Sequence, residues 1–153
     1  MTDILDHILA LNAAHEIETS PLDRELLADM LSKAFFSVTE AAGEDGYLIA
    51  FDQSAEYDSV NFRWFQARYD RIVYIDRVVV APHARGRGLA RRFYVELFES
   101  ARAAGHDRVV AEINLDPPNP GSLAFHGALG FYEVGRAKLV SSGKTVSYQE
   151  CLL

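Results

Sequence analysis

The stretch from Ile72 to Arg92 constrains this chain more than any other. An apolar, β-branched run, Ile72 to Val80, breaks at Ala81-Pro-His-Ala into Arg85-Gly-Arg-Gly88, and a helical pattern follows at once. A strand that passes through so short a turn into a helix belongs to a layered fold in which the helix returns over the sheet. The turn itself is a device for holding phosphates. Glycine lets the backbone approach a ligand, and the unpaired N–H groups of a first helical turn meet it with the positive end of the helix dipole. The expected ligand carries a pyrophosphate.

The rest of the chain fits that frame. Its 153 residues suit one domain, 1–153, with about half of them hydrophobic and about a quarter charged, as in ordinary globular proteins. No apolar run approaches the ~20 residues of a membrane span, and the N-terminus lacks a signal-peptide pattern, so a cytoplasmic protein that binds no membrane is expected. Cys151 is the sole cysteine, which excludes an intrachain disulfide and a cysteine-based metal site; no metal is expected. The net charge of −7 argues against nucleic acid as a partner. Its distribution is uneven: residues 1–60 hold 13 acidic and 2 basic side chains, and residues 61–153 hold 9 and 13. The basic half contains the phosphate turn. The acidic half is either a solvated surface or an attraction for a cationic second substrate.

Helical spacing covers 4–15, and Ser20-Pro-Leu-Asp23 predicts the start of a second helix running to about Ala34. Strands are expected at Tyr47 to Phe51, Ile72 to Val80 and Arg108 to Leu115, with a partly helical, aromatic stretch from Asp58 to Tyr69. Gly88 to Ala104 predicts an amphipathic helix with Leu89, Phe93, Leu97 and Ala101 on one face and an Arg92–Glu96 pair outside. A rigid Asp116-Pro-Pro-Asn-Pro-Gly121 connection precedes a short helix, Ser122 to Leu129. Phe131 to Leu139 and Thr145 to Leu152 predict a hairpin. The alternation predicts an α/β or α+β domain around a mixed sheet, in which one right-handed crossover makes the central strand and the 108–115 strand parallel neighbours. Ligands in such sheets sit outside the carboxyl ends of the strands, where Ala81–Ala90 and Asp116–Ser122 fall.

Two other phosphate motifs fail. A P-loop needs Gly-Lys-Ser/Thr, and Lys144-Thr145 lacks the upstream glycine. A dinucleotide fingerprint needs a third glycine where Gly86-Arg-Gly88 is followed by Leu89-Ala-Arg91. What remains is Arg85-x-x-Gly88-x-Ala90 after Val78-Val-Val-Ala-Pro82, which resembles the acetyl-CoA motif of the GNAT superfamily of N-acetyltransferases. Asn119-x-x-Ser122-x-x-x-His126-x-x-x-Gly130-Phe131 is similar to that superfamily's second segment, Asn-x-x-Ala-x-x-x-Tyr-x-x-x-Gly-Phe. The Pro-Pro-Asn-Pro connection and the Phe125-His126 pair also resemble a bacterial-type branch of the superfamily. Two departures stand out: His126 replaces the usual tyrosine, and the usual first strand is short or missing, leaving a sheet edge for a second copy of the chain to cover as a homodimer.

The resemblance implies a mixed, mostly antiparallel sheet with a parallel pair splayed at the cofactor cleft, flanked by helices. It implies that the backbone of Arg85, Gly86, Arg87, Gly88, Leu89 and Ala90 holds the pyrophosphate of acetyl-CoA, with the side chains of Arg85, Arg87 and Arg91 beside it. The three arginines either add charge-assisted bonds or only begin a solvated helix. Val78 and Val80 would pair with the pantetheine arm, and Asn119 and Ser122 would touch that arm or cap the short helix. His126, on the Ser122 face of that helix, either protonates the leaving sulfur or is a satisfied core histidine. Asp76 and Glu112, carboxylates inside strands, are candidates for a general base or for buried ion pairs. Asn61 and Trp64 are expected on the acceptor side, as part of an aromatic wall.

The activity implied is acetyl transfer from acetyl-CoA to a primary amine, by direct attack in a ternary complex. A CoA-binding module without catalysis is the alternative. Cys151 is expected to be a packed thiol rather than a nucleophile.

Overall fold

The computed structural model describes residues 3–153. Its elements are α1 (Ile4–Ala13), α2 (Arg24–Lys33), β1 (Phe36–Glu40), β2 (Gly46–Asp52), α3 (Val60–Gln66), β3 (Val73–Val80), α4 (Leu89–Ala103), β4 (Arg108–Asp116), α5 (Pro120–Leu129), β5 (Tyr132–Lys138) and β6 (Thr145–Leu152). The strands form one sheet in the order β1-β2-β3-β4-β6-β5. Every pair is antiparallel except β3 with β4. This is the mixed sheet that the two motifs imply. Among the described residues no helix is long and apolar enough to cross a membrane.

Burial explains the layers. On α4, Leu89, Phe93, Leu97 and Ala101 are buried as the spacing predicts, joined by Tyr94 and Phe98. This stripe packs with Phe125 and Leu129 of α5 against Leu48, Ala50, Ile75, Val109 and Ala111 on one sheet face. On the other face Ile8, Leu27, Met30, Phe62 and Phe65 of α1, α2 and α3 meet Tyr47, Ile49, Phe51, Tyr74 and Tyr148. Each such fully buried apolar side chain contributes roughly 1.5–3 kcal/mol of transfer free energy.

Two backbone features shape the centre. The parallel register joins only Val73 to Val109 and Tyr74 to Val110. Beyond Tyr74 the strands part, so Asp76 to Val80 has β2 on one side and a cleft on the other. Within β3, Arg77 lies opposite Ile49 and Ile75 opposite Ala50, which leaves Asp76 as an extra residue in a bulge. A bulge re-aims side chains, and here it does so at the mouth of the splay.

Three local expectations are corrected. The second helix is capped by Asp23, whose side chain accepts from the Leu26 N–H, and begins at Arg24; Ser20 holds Arg77 instead. Arg92 pairs with Glu40 of β1 rather than with Glu96. The strand β1 was not expected at all, and it forms one edge of the sheet, with β5 at the other.

Candidate active site

Four helices satisfy their first N–H groups with a side chain: Asp3 for α1, Asp23 for α2, Ser59 for α3 and Asn119 for α5. The fifth, α4, has Gly88 at this position and no side-chain cap. The N–H groups of Gly88 to Arg91 have no acceptor among the described residues. Gly86 and Gly88 hold φ of +78° and +71°, the left-handed region that glycine enters without strain, and a Cβ on either would meet no protein atom within 4 Å. The backbone therefore keeps open a cradle of four donors at a positive helix end, a fit for phosphate oxygens.

The cradle is one wall of a cavity of about 730 Å³. Val78 and Val80 from the free side of β3, Arg85, Gly86, Leu89, Ala90 and Arg91 from the turn, and Asn119 and Ser122 from α5 line it as expected. Arg87 does not; its guanidinium donates to the carbonyl of His83 at 3.1 Å. His15, Glu18, Phe125 and Leu129 also line it. Asn119 also caps α5, accepting from the Ser122 N–H at 3.2 Å.

A second cavity, of about 340 Å³, opens on the other side of the splay. Glu18, Val78, Asn119, Ser122 and His126 border both. Inside the second cavity the two strand carboxylates stand in different states. Asp76 is held at 2.6 Å by Arg77 Nε and at 2.6 Å by the Tyr57 hydroxyl, a neutralised pair with side chains 5% and 4% exposed. Among the described residues Glu112 has no cationic partner. The Tyr74 hydroxyl donates to its two oxygens at 2.9 and 2.7 Å, and Asn61 Nδ2 donates at 3.1 Å. Burial pushes its pKa up to about 8, outweighing those bonds, with the Asp76 charge adding to the rise. Asn61 is positioned in turn by the Tyr148 hydroxyl at 2.9 Å.

His126 is buried, which lowers its pKa and keeps it neutral. A carbonyl can only accept, so its Nδ1 carries the proton and donates to Ser122 O at 2.8 Å. Its Nε2 then accepts from the Tyr94 hydroxyl at 2.7 Å. Trp64 lies outside both cavities. It stacks on Tyr148 at 4.1 Å beneath Arg68 and presses on Gly135, where a Cβ would clash at 2.5 Å.

Two loops roof the second cavity and are tied together. Lys144 Nζ donates to the carbonyls of Ile17 at 2.7 Å and Thr19 at 3.3 Å, and Arg77 and Asn12 hold Ser20. Charged hydrogen bonds of this kind are worth about 1.5–3 kcal/mol. Lys144→Ala is expected to speed amide exchange over residues 14–20 and 139–145, read by mass spectrometry, and to leave exchange in α4 unchanged.

Cys151 is buried, its thiol directed at Leu129 O at 3.6 Å, and burial pushes its pKa up. Among the described residues no base bonds to it; its contacts are backbone carbonyls. Cys151→Ala is expected to keep turnover within about twofold of the wild type, since a volume change alone acts on packing.

A sheet splayed between two parallel strands, an uncapped helix start at one side of the splay and a buried, uncompensated carboxylate at the other define a domain of the acetyltransferase class. The model of the Acetyltransferase (GNAT) family matches residues 6–131. The chain belongs to the GNAT acetyltransferase family. Among solved structures it is similar to the ribosomal-protein-alanine N-acetyltransferase of Brucella melitensis, with 26% identity, a TM-score of 0.70 and coverage of 97% of this chain and 94% of that one. Ard1 of Thermoplasma volcanium is similar with a TM-score of 0.76 at 13% identity, covering 98% and 91%. A chain of the NatC complex bound to Gag peptide and CoA is similar with a TM-score of 0.72 at 13% identity, covering 100% and 92%. No curated protein matches the chain by sequence.

Proposed function

We propose that this protein transfers the acetyl group of acetyl-CoA to a primary amine by direct attack, both substrates being bound together. The observation that carries this reading is the pair of cavities meeting at Val78, Asn119, Ser122 and His126, one with a phosphate cradle and the other with a carboxylate poised as a base. When bound, acetyl-CoA supplies a thioester carbonyl open to attack. The chain's own residues do the rest. The N–H groups of Gly88 to Arg91, with the Arg85 and Arg91 side chains, hold the pyrophosphate, and the free edge of β3 at Val78 and Val80 takes the pantetheine arm. Glu112 accepts the proton that the attacking amine must lose. A carboxyl with a pKa of about 8 is matched to that task near neutral pH.

The acceptor is a small amine, best suited when cationic. With the Asp76–Arg77 pair neutralised and Lys144 turned to the Ile17 and Thr19 carbonyls, Glu18 and Asp58 are the further carboxylates that border the second cavity beside Glu112. An ammonium group beside Glu112 would also favour its ionised form. The Pro117-Pro118-Asn119-Pro120 connection and Phe125-His126 support placing the chain in the branch that carries both, since Asn119 and His126 stand where the two cavities join.

Titration with acetyl-CoA in a calorimeter, followed by an amine screen that reads thiol release, tests the proposal. Saturable one-to-one binding and amine-dependent thiol are expected. Binding without turnover by any amine would favour a sensor instead, and absence of binding would remove the enzyme reading.

A further inference from the structure

Acetyl transfer needs a proton at the sulfur that departs, and His126 stands where the family pattern has tyrosine. That imidazole has no proton to give. Its Nδ1–H is committed to the Ser122 carbonyl, and its Nε2 is an acceptor. The hydroxyl it accepts from belongs to Tyr94, on α4. An imidazole is shorter than a phenol, and the Tyr94 oxygen lies 2.7 Å beyond the outer ring nitrogen. The Tyr94 ring is fully buried and fixed edge-on by Phe125 at 5.1 Å and Phe131 at 6.1 Å. Tyr94 borders the second cavity, as do Ala111 and Glu112, and its hydroxyl is bonded to His126, which with Ser122 joins the two cavities.

We infer that Tyr94, oriented by His126, is the proton donor to the departing sulfur, a role the family pattern places at position 126. The inference rests on the acetyl-transfer reading above. As the amine nitrogen bonds to the carbonyl carbon, the carbon–sulfur bond breaks and its electron pair leaves with sulfur. The Tyr94 O–H swings from His126 Nε2 to that sulfur and transfers its proton, giving the thiol. For an amine that attacks neutral, its proton goes to Glu112 and returns through water to the Tyr94 oxygen, which closes the cycle. An amine that arrives as ammonium gives one further proton to solvent before attack. Burial keeps the phenol neutral, and so a donor, between turnovers.

The test needs no acceptor. CoA and desulfo-CoA, which lacks the sulfur, are titrated separately in a calorimeter. A hydroxyl donating to sulfur should make wild type prefer CoA by about fivefold or more. Tyr94→Phe is expected to bind both ligands with the affinity that wild type shows for desulfo-CoA. Tyr94→Phe/His126→Tyr, which brings a phenol back from the other helix, is expected to restore the preference. In the unmodified protein the ¹⁵N resonance of His126 Nε2 should shift toward an unbonded acceptor with CoA and stay in place with desulfo-CoA. A preference that survives in Tyr94→Phe, an unmoved resonance with CoA, or equal wild-type affinities would overturn the role of Tyr94 alone. Failure of wild type to bind either ligand would instead remove the acetyl-CoA reading on which it depends.

Discussion

Gly88→Asp is expected to abolish acetyl-CoA binding while leaving the fold intact. Three effects act in the same direction. The new carboxylate lies against the phosphates at the backbone donors that should hold them, and a like charge at contact costs several kcal/mol. An aspartate at the cap position also accepts from the N–H groups of its own helix, so it occupies the donors that the phosphates need. The Cβ, which meets no protein atom within 4 Å, fills the space kept for the ligand. Against the fold stands only a left-handed residue at φ +71°, costing about 1–2 kcal/mol and partly offset by the new cap. The measured Kd should rise by more than about 100-fold, equivalent to roughly 3 kcal/mol. Gly88→Ala carries the backbone strain without the charge and should weaken binding far less. Equal affinities for wild type and Gly88→Asp in the calorimeter would sink the placement of the pyrophosphate.

That the cradle was legible in the sequence and the chemistry around His126 was not has a physical cause. Gly86, Gly88 and the Leu89-Phe93-Leu97-Ala101 stripe act through local backbone geometry and helical period, which the order of residues carries directly. Tyr94 sits one residue beyond Phe93, beside the periodic stripe, and its partner is 32 residues away on another helix. Neither position alone signals a pair. Asp76 was legible as a buried carboxylate, but the bulge that turns it toward Arg77 and Tyr57 is a mismatch between two strands, not a property of one. The edge strand β1 follows α2 with no Gly, Pro or Asn between Lys33 and Phe36, so its alternation ran into the tail of a helix. Trp64 showed an aromatic near a cleft. Which face of α3 it occupies was decided by Gly135, whose missing side chain makes room for the indole ring.

Glu112→Gln is expected to lose activity and gain stability together, a combination that an ordinary core carboxylate would not show. The side-chain oxygen of glutamine still accepts from Tyr74 and Asn61, so the cavity keeps its shape, but nothing takes the proton from the amine. Loss of a general base lowers kcat by about 10²–10⁴-fold. In the wild type kcat/KM should rise with pH through an apparent pKa near 8, and this limb should vanish in the variant. The stability effect follows from the same shift. Burial raises the Glu112 pKa from 4.5 to about 8, so between those values the folded chain keeps a proton that the unfolded chain has released. Wild-type stability contributed by this group is then complete below pH ~4.5 and is lost as pH rises to about 8, by several kcal/mol at about 1.4 kcal/mol per pKa unit. The glutamine variant has no such slope. Its melting temperature should match wild type at pH 4, exceed it increasingly up to about pH 8, and hold that lead toward pH 9. Parallel melting curves across that range would mean that Glu112 is ionised in the folded protein, and a rate within about tenfold of wild type would place the base elsewhere.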